Sequence, residues 1–157
     1  MREVDYKIRQ ASPADHDLVY ALKAESVRPY VEKIWGWNED IQRKAFDSDY
    51  AAIEQFQIIE VDGKFSGFVQ CSCDTVSCHI IELHLLAGLR GKGVGSDILR
   101  SFQSACSNCR KRLLIGCFKD NDRAYRLYQR LGFRRTRQTA THYILEYFPF
   151  PAAKPNV

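Results

Sequence analysis

Residues 90–96 read Arg90-Gly91-Lys92-Gly93-Val94-Gly95-Ser96. Before them lies 77–87, Ser-Cys-His-Ile-Ile-Glu-Leu-His-Leu-Leu-Ala, nearly continuous in apolar character as a central strand is. After them Val94, Ile98, Phe102, Ala105, Cys106 and Cys109 recur at helical spacing to about residue 109. The loop therefore joins a buried strand to an amphipathic helix. Backbone N–H groups at a helix start have no partner inside the helix and attract anions. Glycines let an anion approach the backbone closely, and Arg90 and Lys92 add positive charge. The stretch is suited to a pyrophosphate. Two familiar phosphate loops do not fit it. The nucleoside-triphosphate loop needs Gly-Lys followed by Ser or Thr, and here Lys92 is followed by Gly93. The dinucleotide fingerprint needs Gly-x-Gly-x-x-Gly, and Gly93-Val94-Gly95 runs on into Ser96-Asp97-Ile98.

The rest of the chain supplies the setting for this loop. Residues 4–11 alternate like a half-buried strand. Ser12-Pro13 then opens a helix with Leu18, Val19, Leu22 and Val27 as its stripe. Pro29 is expected to restart the chain, with Tyr30, Val31, Ile34 and Trp35 in a short turn ended by Gly36. A second helix is predicted from about 39 to 54, turning Ile41, Ala45, Ala52 and Ile53 inward. Residues 56–61 and 65–73 read as a hairpin around Asp62-Gly63. Beyond the loop and its helix, 113–118 is a buried strand. Residues 121–131 are helical and stop at Gly132, with Phe133 folding back. A closing hairpin follows at 133–139 and 141–148. The order β, α, α, β, β, β, α, β, α, β, β specifies an α/β fold with a mixed sheet and helices on both faces. One domain is expected over 1–148, with a proline-rich tail at 149–157.

Composition agrees: at 45% hydrophobic and 27% charged, the 157 residues are neither disordered nor of low complexity. No apolar run reaches the roughly 18 residues of a membrane span. The N-terminus lacks the apolar stretch of a secretion signal, so the expected location is cytoplasmic. Charge is uneven. Residues 1–87 hold nine Lys+Arg against fifteen Asp+Glu, whereas residues 88–137 hold thirteen against three. A basic second stretch suggests a polyanionic partner, either nucleic acid or a phosphorylated cofactor. The six cysteines, Cys71, Cys73, Cys78, Cys106, Cys109 and Cys117, are read as small buried hydrophobes. Cys-x-Cys lacks the spacing of structural zinc sites, and no metal is expected.

Arg90-Gly91-Lys92-Gly93-Val94-Gly95, placed after a strand and opening a helix, resembles the acyl-CoA loop of the GNAT superfamily of N-acetyltransferases. The family's second hallmark has its counterpart in Asn121, Ala124, Tyr128 and Gly132-Phe133, about 30 residues on. The element order matches the family fold, a mostly antiparallel mixed sheet of about six or seven strands, from residue 4 to about 148. Trp35-Gly36-Trp37 with Glu39 and Gln42, and Thr141-His142-Tyr143, are similar to a bacterial subgroup. The resemblance implies acetyl-CoA as cofactor, held by Arg90, Gly91, Lys92, Gly93, Val94, Gly95, Ser96, Asn121, Ala124 and Tyr128. It also places the pantetheine beside the backbone of Leu85 and Leu86, where the family's strand splays, with an oxyanion donor among the N–H groups there.

Acetyl transfer to an amine asks for a proton acceptor, an oxyanion donor, an acid for the leaving thiolate, and alignment. Tyr128 is the candidate acid, because a phenol and a thiol have comparable pKa values. It lies two helical turns from Asn121, while Tyr125 is on another face. Glu82 is the candidate base, with a histidine or water as alternatives: a carboxylate in an apolar strand is expected to have a raised pKa unless it pairs with an arginine of the fold. Strand alternation puts His84 on its face and His79 opposite. By resemblance Tyr30, Trp35, Trp37, His84 and His142 belong to the acceptor pocket. The acidic first half favours a cationic small primary amine as acceptor. The competing readings are a non-catalytic acyl-CoA sensor and a basic nucleic-acid module. No reading helix supports the second, and nucleic acid is set aside. A homodimer is compatible with all of this.

Overall fold

The computed structural model describes residues 3–149. The elements are β1 (Lys7–Gln10), α1 (His16–Trp35), α2 (Glu39–Tyr50), β2 (Phe56–Val61), β3 (Lys64–Cys73), β4 (Ser77–Leu85), α3 (Val94–Cys109), β5 (Arg112–Phe118), α4 (Asp122–Arg130), β6 (Arg134–Gln138) and β7 (His142–Tyr147). This is the expected order. The strands hydrogen-bond as a seven-stranded sheet in the order β1-β2-β3-β4-β5-β7-β6. Two compact units divide the chain. One is formed by the chain up to Cys71 together with Ile81–Gly95, the other by Ser72–Ile80 together with the chain from Ser96 onward.

In the first unit β1, β2 and β3 pair antiparallel, and Asp62 and Gly63, both at positive φ (53° and 73°), make the tight β2–β3 turn. Its core is aromatic. Phe46 and Tyr50 stack at 5.3 Å, Tyr50 meets Phe56 at 4.9 Å, and Phe56 meets Phe68 at 6.1 Å. That settles the phase of α2. Phe46 and Tyr50, one turn apart, face inward, whereas Ile41, expected inside, is 63% exposed. Asn38 sets where the helix begins by accepting from the Ile41 N–H, and the large rings then win the buried face. Pro29 does not restart the chain. It sits inside α1, which continues to Trp35. The carbonyl it leaves without a donor is that of Glu25, an exposed residue that water can reach. Gly36 ends α1, donating to the Glu32 carbonyl. β1 is shorter than expected and exposed along its length.

In the second unit β4 and β5 run parallel from Ser77↔Arg112 to Ile80↔Ile115, and β5, β7 and β6 continue antiparallel. Leu113, Ile115, Cys117, Phe133 and Leu145 are buried, as are Ile98, Leu99 and Cys106 of α3. Ala105 and Cys109, expected inward, are exposed, and Gln103 is buried because its Nε2 donates to the Leu131 carbonyl at 2.7 Å. The cysteines are not all unpaired. Cys73 and Cys78 form a disulfide across the β3–β4 turn. Asp74 closes that turn by accepting from the Val76 and Ser77 N–H groups, which brings the two Cα atoms to 4.0 Å. Most of the predicted tail, from residue 150 onward, lies outside the described residues. Among those described, no helix is long and apolar enough to cross a membrane.

Candidate active site

β4 delivers Glu82, His84 and Leu85 to the start of the glycine loop. Alternation puts Glu82 and His84 on one face, and Glu82 Oε2 is hydrogen-bonded to His84 Nε2. The other carboxylate oxygen, Oε1, lies 3.6 Å from Lys23 Nζ of α1. Lys23 in turn lies 3.7 Å from Asp49 Oδ2. Burial pushes the Glu82 carboxyl up, but the bond and charge of His84, followed by the Lys23 ammonium, outweigh it. The group is held below its ordinary value, which reverses the sequence-based expectation. The raised value followed from burial; the cation that offsets it is Lys23 of α1 and not an arginine. His84 packs its ring 5.5 Å from Phe68.

Gly67 of β3 explains how closely this end of β4 is held. A Cβ there would come within 2.5 Å of the His84 carbonyl oxygen. Only glycine permits the approach. The Leu86 N–H donates to the Ser66 carbonyl at 2.9 Å and is thereby occupied, which leaves Leu85 as the other backbone position named from the sequence. The Arg90 Nε donates to the Leu85 carbonyl at 3.0 Å, so the first loop cation is tied to the strand it follows. Gly91 and Gly93 stand at φ 74° and 84°. A side chain at Gly93 would meet nothing within 4 Å, so conformation and not space demands glycine there. Lys92 is exposed. α3 starts at Val94, which places Gly95 and Ser96 in its first turn.

A narrow cleft of about 30 Å³ in the first unit is lined by Tyr20, Lys23, Val27, Trp37, Gln42 and Phe46, with Ala24 and Ala45. Of the three aromatic residues named for the acceptor, only Trp37 lines it. Trp35 is 63% exposed, and Tyr30 is half-buried elsewhere on α1. Glu39 braces the rim by accepting from Trp37 Nε1 and from the Tyr20 hydroxyl, both at 2.9 Å. The Arg28 guanidinium lies over Trp37 at 5.2 Å, and that of Arg43 over Tyr20 at 4.6 Å. The chain's own cations thus lie over both rings. Several acidic residues are likewise matched internally, Glu32 with Arg28 and Asp47 with His16.

In the second unit Asn121 caps α4, its side-chain oxygen accepting from the Ala124 N–H at 3.2 Å. The side-chain NH₂ is the group it can offer a ligand. Tyr128 is half-buried, with its ring 5.9 Å from Phe133. Tyr125 faces elsewhere and packs on Tyr143 at 5.1 Å. His142 lies against Phe118 at 4.2 Å and bonds the Thr141 hydroxyl.

The model of the acetyltransferase (GNAT) family matches residues 19–133. The chain belongs to this family. It is an acetyl-CoA-dependent N-acetyltransferase. An uncharacterized N-acetyltransferase of Methanocaldococcus jannaschii, MJ1530, is 26% identical over 130 residues, 74% of this chain and 83% of that protein. The PaiA N-acetyltransferase from Thermoplasma acidophilum, solved with coenzyme A, superposes with a TM-score of 0.72 at 16% identity, covering 92% of this chain and 99% of that one. The ribosomal-protein-S18-alanine N-acetyltransferase from Escherichia coli superposes with a TM-score of 0.68 at 16% identity, covering 98% and 99%. The loop of this GNAT chain fits the cofactor's pyrophosphate: two positive-φ glycines precede a 16-residue helix, with exposed Lys92 beside them. Sequence reasoning missed Lys23, Tyr20 and Phe46. The available signal was a lysine one turn beyond Val19 on the inward stripe of α1.

Proposed function

We propose that the acceptor is a primary amine on a small molecule, acetylated by direct attack in a ternary complex. One observation carries this reading: Lys23 lines the α1–α2 cleft and also reaches Glu82, so the cleft and the candidate base share a residue. The cleft is narrow, and its walls are largely aromatic and aliphatic. They suit an acceptor with an apolar body.

When bound, acetyl-CoA supplies the activated acetyl group as a thioester. The chain's residues do the rest. The Glu82–His84 pair accepts the proton that the amine must lose and shares it along the hydrogen bond between them. The backbone N–H of Leu85 is the candidate oxyanion donor. Arg90, Gly91, Lys92, Gly93, Val94, Gly95 and Ser96 hold the pyrophosphate, with Asn121 and Ala124 on the pantetheine. Tyr128 returns a proton to the thiolate. The test is a screen of acceptors with thiol detection, including small amines with apolar bodies, polyamines, anionic amino acids and peptides with free N-termini. Fastest turnover with compact amines of apolar body supports the proposal. A clear preference for peptide N-termini overturns it.

A further inference from the structure

We propose that Lys23 is a positioning residue of the acetyl transfer: its ammonium, held between Glu82 and Asp49, keeps the Glu82 carboxylate turned to His84 and sets the pH at which the pair fills with a proton. The proposal rests on the base assignment above. Lys23 stands on α1 among inward-facing residues, with its side chain 20% exposed. An ammonium so placed needs compensating charge. It has two carboxylates, Glu82 at 3.6 Å and Asp49 at 3.7 Å, and the Phe46 ring at 5.9 Å. Neither carboxylate is within close hydrogen-bond distance, so Lys23 acts on both as a charge.

The division of Glu82 gives that charge a consequence. One oxygen faces Lys23 and the other bonds His84. With Oε1 attracted to α1, the carboxylate plane is fixed, and Oε2 is presented to the imidazole. The charges felt at Glu82 are those of His84, on its own strand, and Lys23, with Asp49 of α2 behind Lys23. A cation at this distance favours the ionised carboxylate, and Asp49 takes part of that influence away. Lys23 also lines the cleft, so an acceptor seated there removes water from its ammonium and strengthens that charge's hold on Glu82.

The experiment follows the Glu82 carboxyl carbon by NMR as pH is varied, in the whole chain, with Glu82→Gln to assign the signal. Acid limbs of kcat/KM are recorded alongside, with acetyl-CoA and the best amine from the screen. Lys23→Met should raise the Glu82 midpoint by about one pH unit. Asp49→Asn should lower it, and Lys23→Arg should stay near the parent. The acid limb should move with the midpoint. An unmoved midpoint in Lys23→Met, or shifts of the same sign in Lys23→Met and Asp49→Asn, overturns the proposal. A structural lysine would change stability and leave the opposed shifts absent. Should Lys23→Met fail to fold, Asp49→Asn alone decides, because Asp49 is surface-placed and its predicted shift has a fixed sign. A moved midpoint with an unmoved limb overturns the base assignment, and with it the catalytic role of Lys23. It leaves the link between Lys23 and Glu82 standing.

Discussion

Residues 82–95 and 121–133 hold the candidate site residues, yet they are organised by different forces. The second stretch is local. Asn121 bonds three residues ahead to Ala124, the Phe133 N–H returns to the Tyr128 carbonyl at 3.0 Å, and Gly132 at φ 93° permits the reversal. The first stretch depends on distant residues. Glu82 is held by Lys23, His84 packs on Phe68, and the strand lies tight against Gly67. A motif made by its own neighbours keeps its geometry when the surroundings change. A charged pair held from other elements also carries their charges, so its behaviour depends on pH.

The comparison can be broken most decisively at Glu82. Glu82→Gln should lower kcat/KM by about 10³-fold near the low end of the pH range, with a smaller loss at high pH where the amine is already unprotonated. A pH–rate profile checks this, and a uniform loss would assign Glu82 to structure alone. Tyr128→Phe should cost about 10²-fold in kcat while acetyl-CoA affinity is kept, and Tyr125→Phe should do little. Equal losses from the two tyrosines would remove the acid from α4. For the loop, acetyl-CoA at 100 times its Kd should stabilise the parent by about 2.7 kcal/mol. Gly93→Val should abolish that gain, and the apo chain should lose about 1 kcal/mol because φ is positive there. Thermal melts with and without cofactor separate the two effects. The smallest effect sharpens the contrast at a third place. Asp15 bonds Arg9 twice at 2.8 Å and accepts from the Ser12 N–H. The Arg9 hydrogen bonds outweigh burial and hold its carboxyl down at about 2. A depressed acid stabilises the fold above its ordinary pKa near 4, and that contribution disappears as pH falls through about 2. Since Arg9 is partly exposed, the contribution is about 1–2 kcal/mol, absent in Asp15→Asn, and acid denaturation of the two proteins measures it.

The same contrast explains what could be read in advance. The order of elements, the Asp62-Gly63 turn, the glycine loop and the α4 motif are all set by residues within a few positions of one another, and all were legible. The inward face of α2 was not. Its apolar aliphatics suggested one phase, and the area of Phe46 and Tyr50 against Phe56 imposed another. Pro29 looked like a stop because its cost was assessed without knowing that the turn before it lies at the exposed residue Glu25. Glu82 looked like a carboxyl with raised affinity for a proton because Lys23 is 59 positions away in sequence. The Trp37 face looked open because nothing in the spacing announces that Arg28 lies over it.

The two outermost strands, β1 and β6, share a property. Every residue of both is exposed. β1 is four residues long and carries Lys7 and Arg9, while β6 carries Arg134, Arg135 and Arg137 with a register shift between the last two. An outer strand leaves a row of backbone donors and acceptors open to any passing extended chain. Shortness, a bulge and like charges all discourage such pairing, so part of the basic surplus in the second half guards against aggregation. Replacing the three β6 arginines with threonine would keep the strand and remove its repulsion, and the cost would appear as concentration-dependent turbidity with the catalytic rate of the remaining monomer intact.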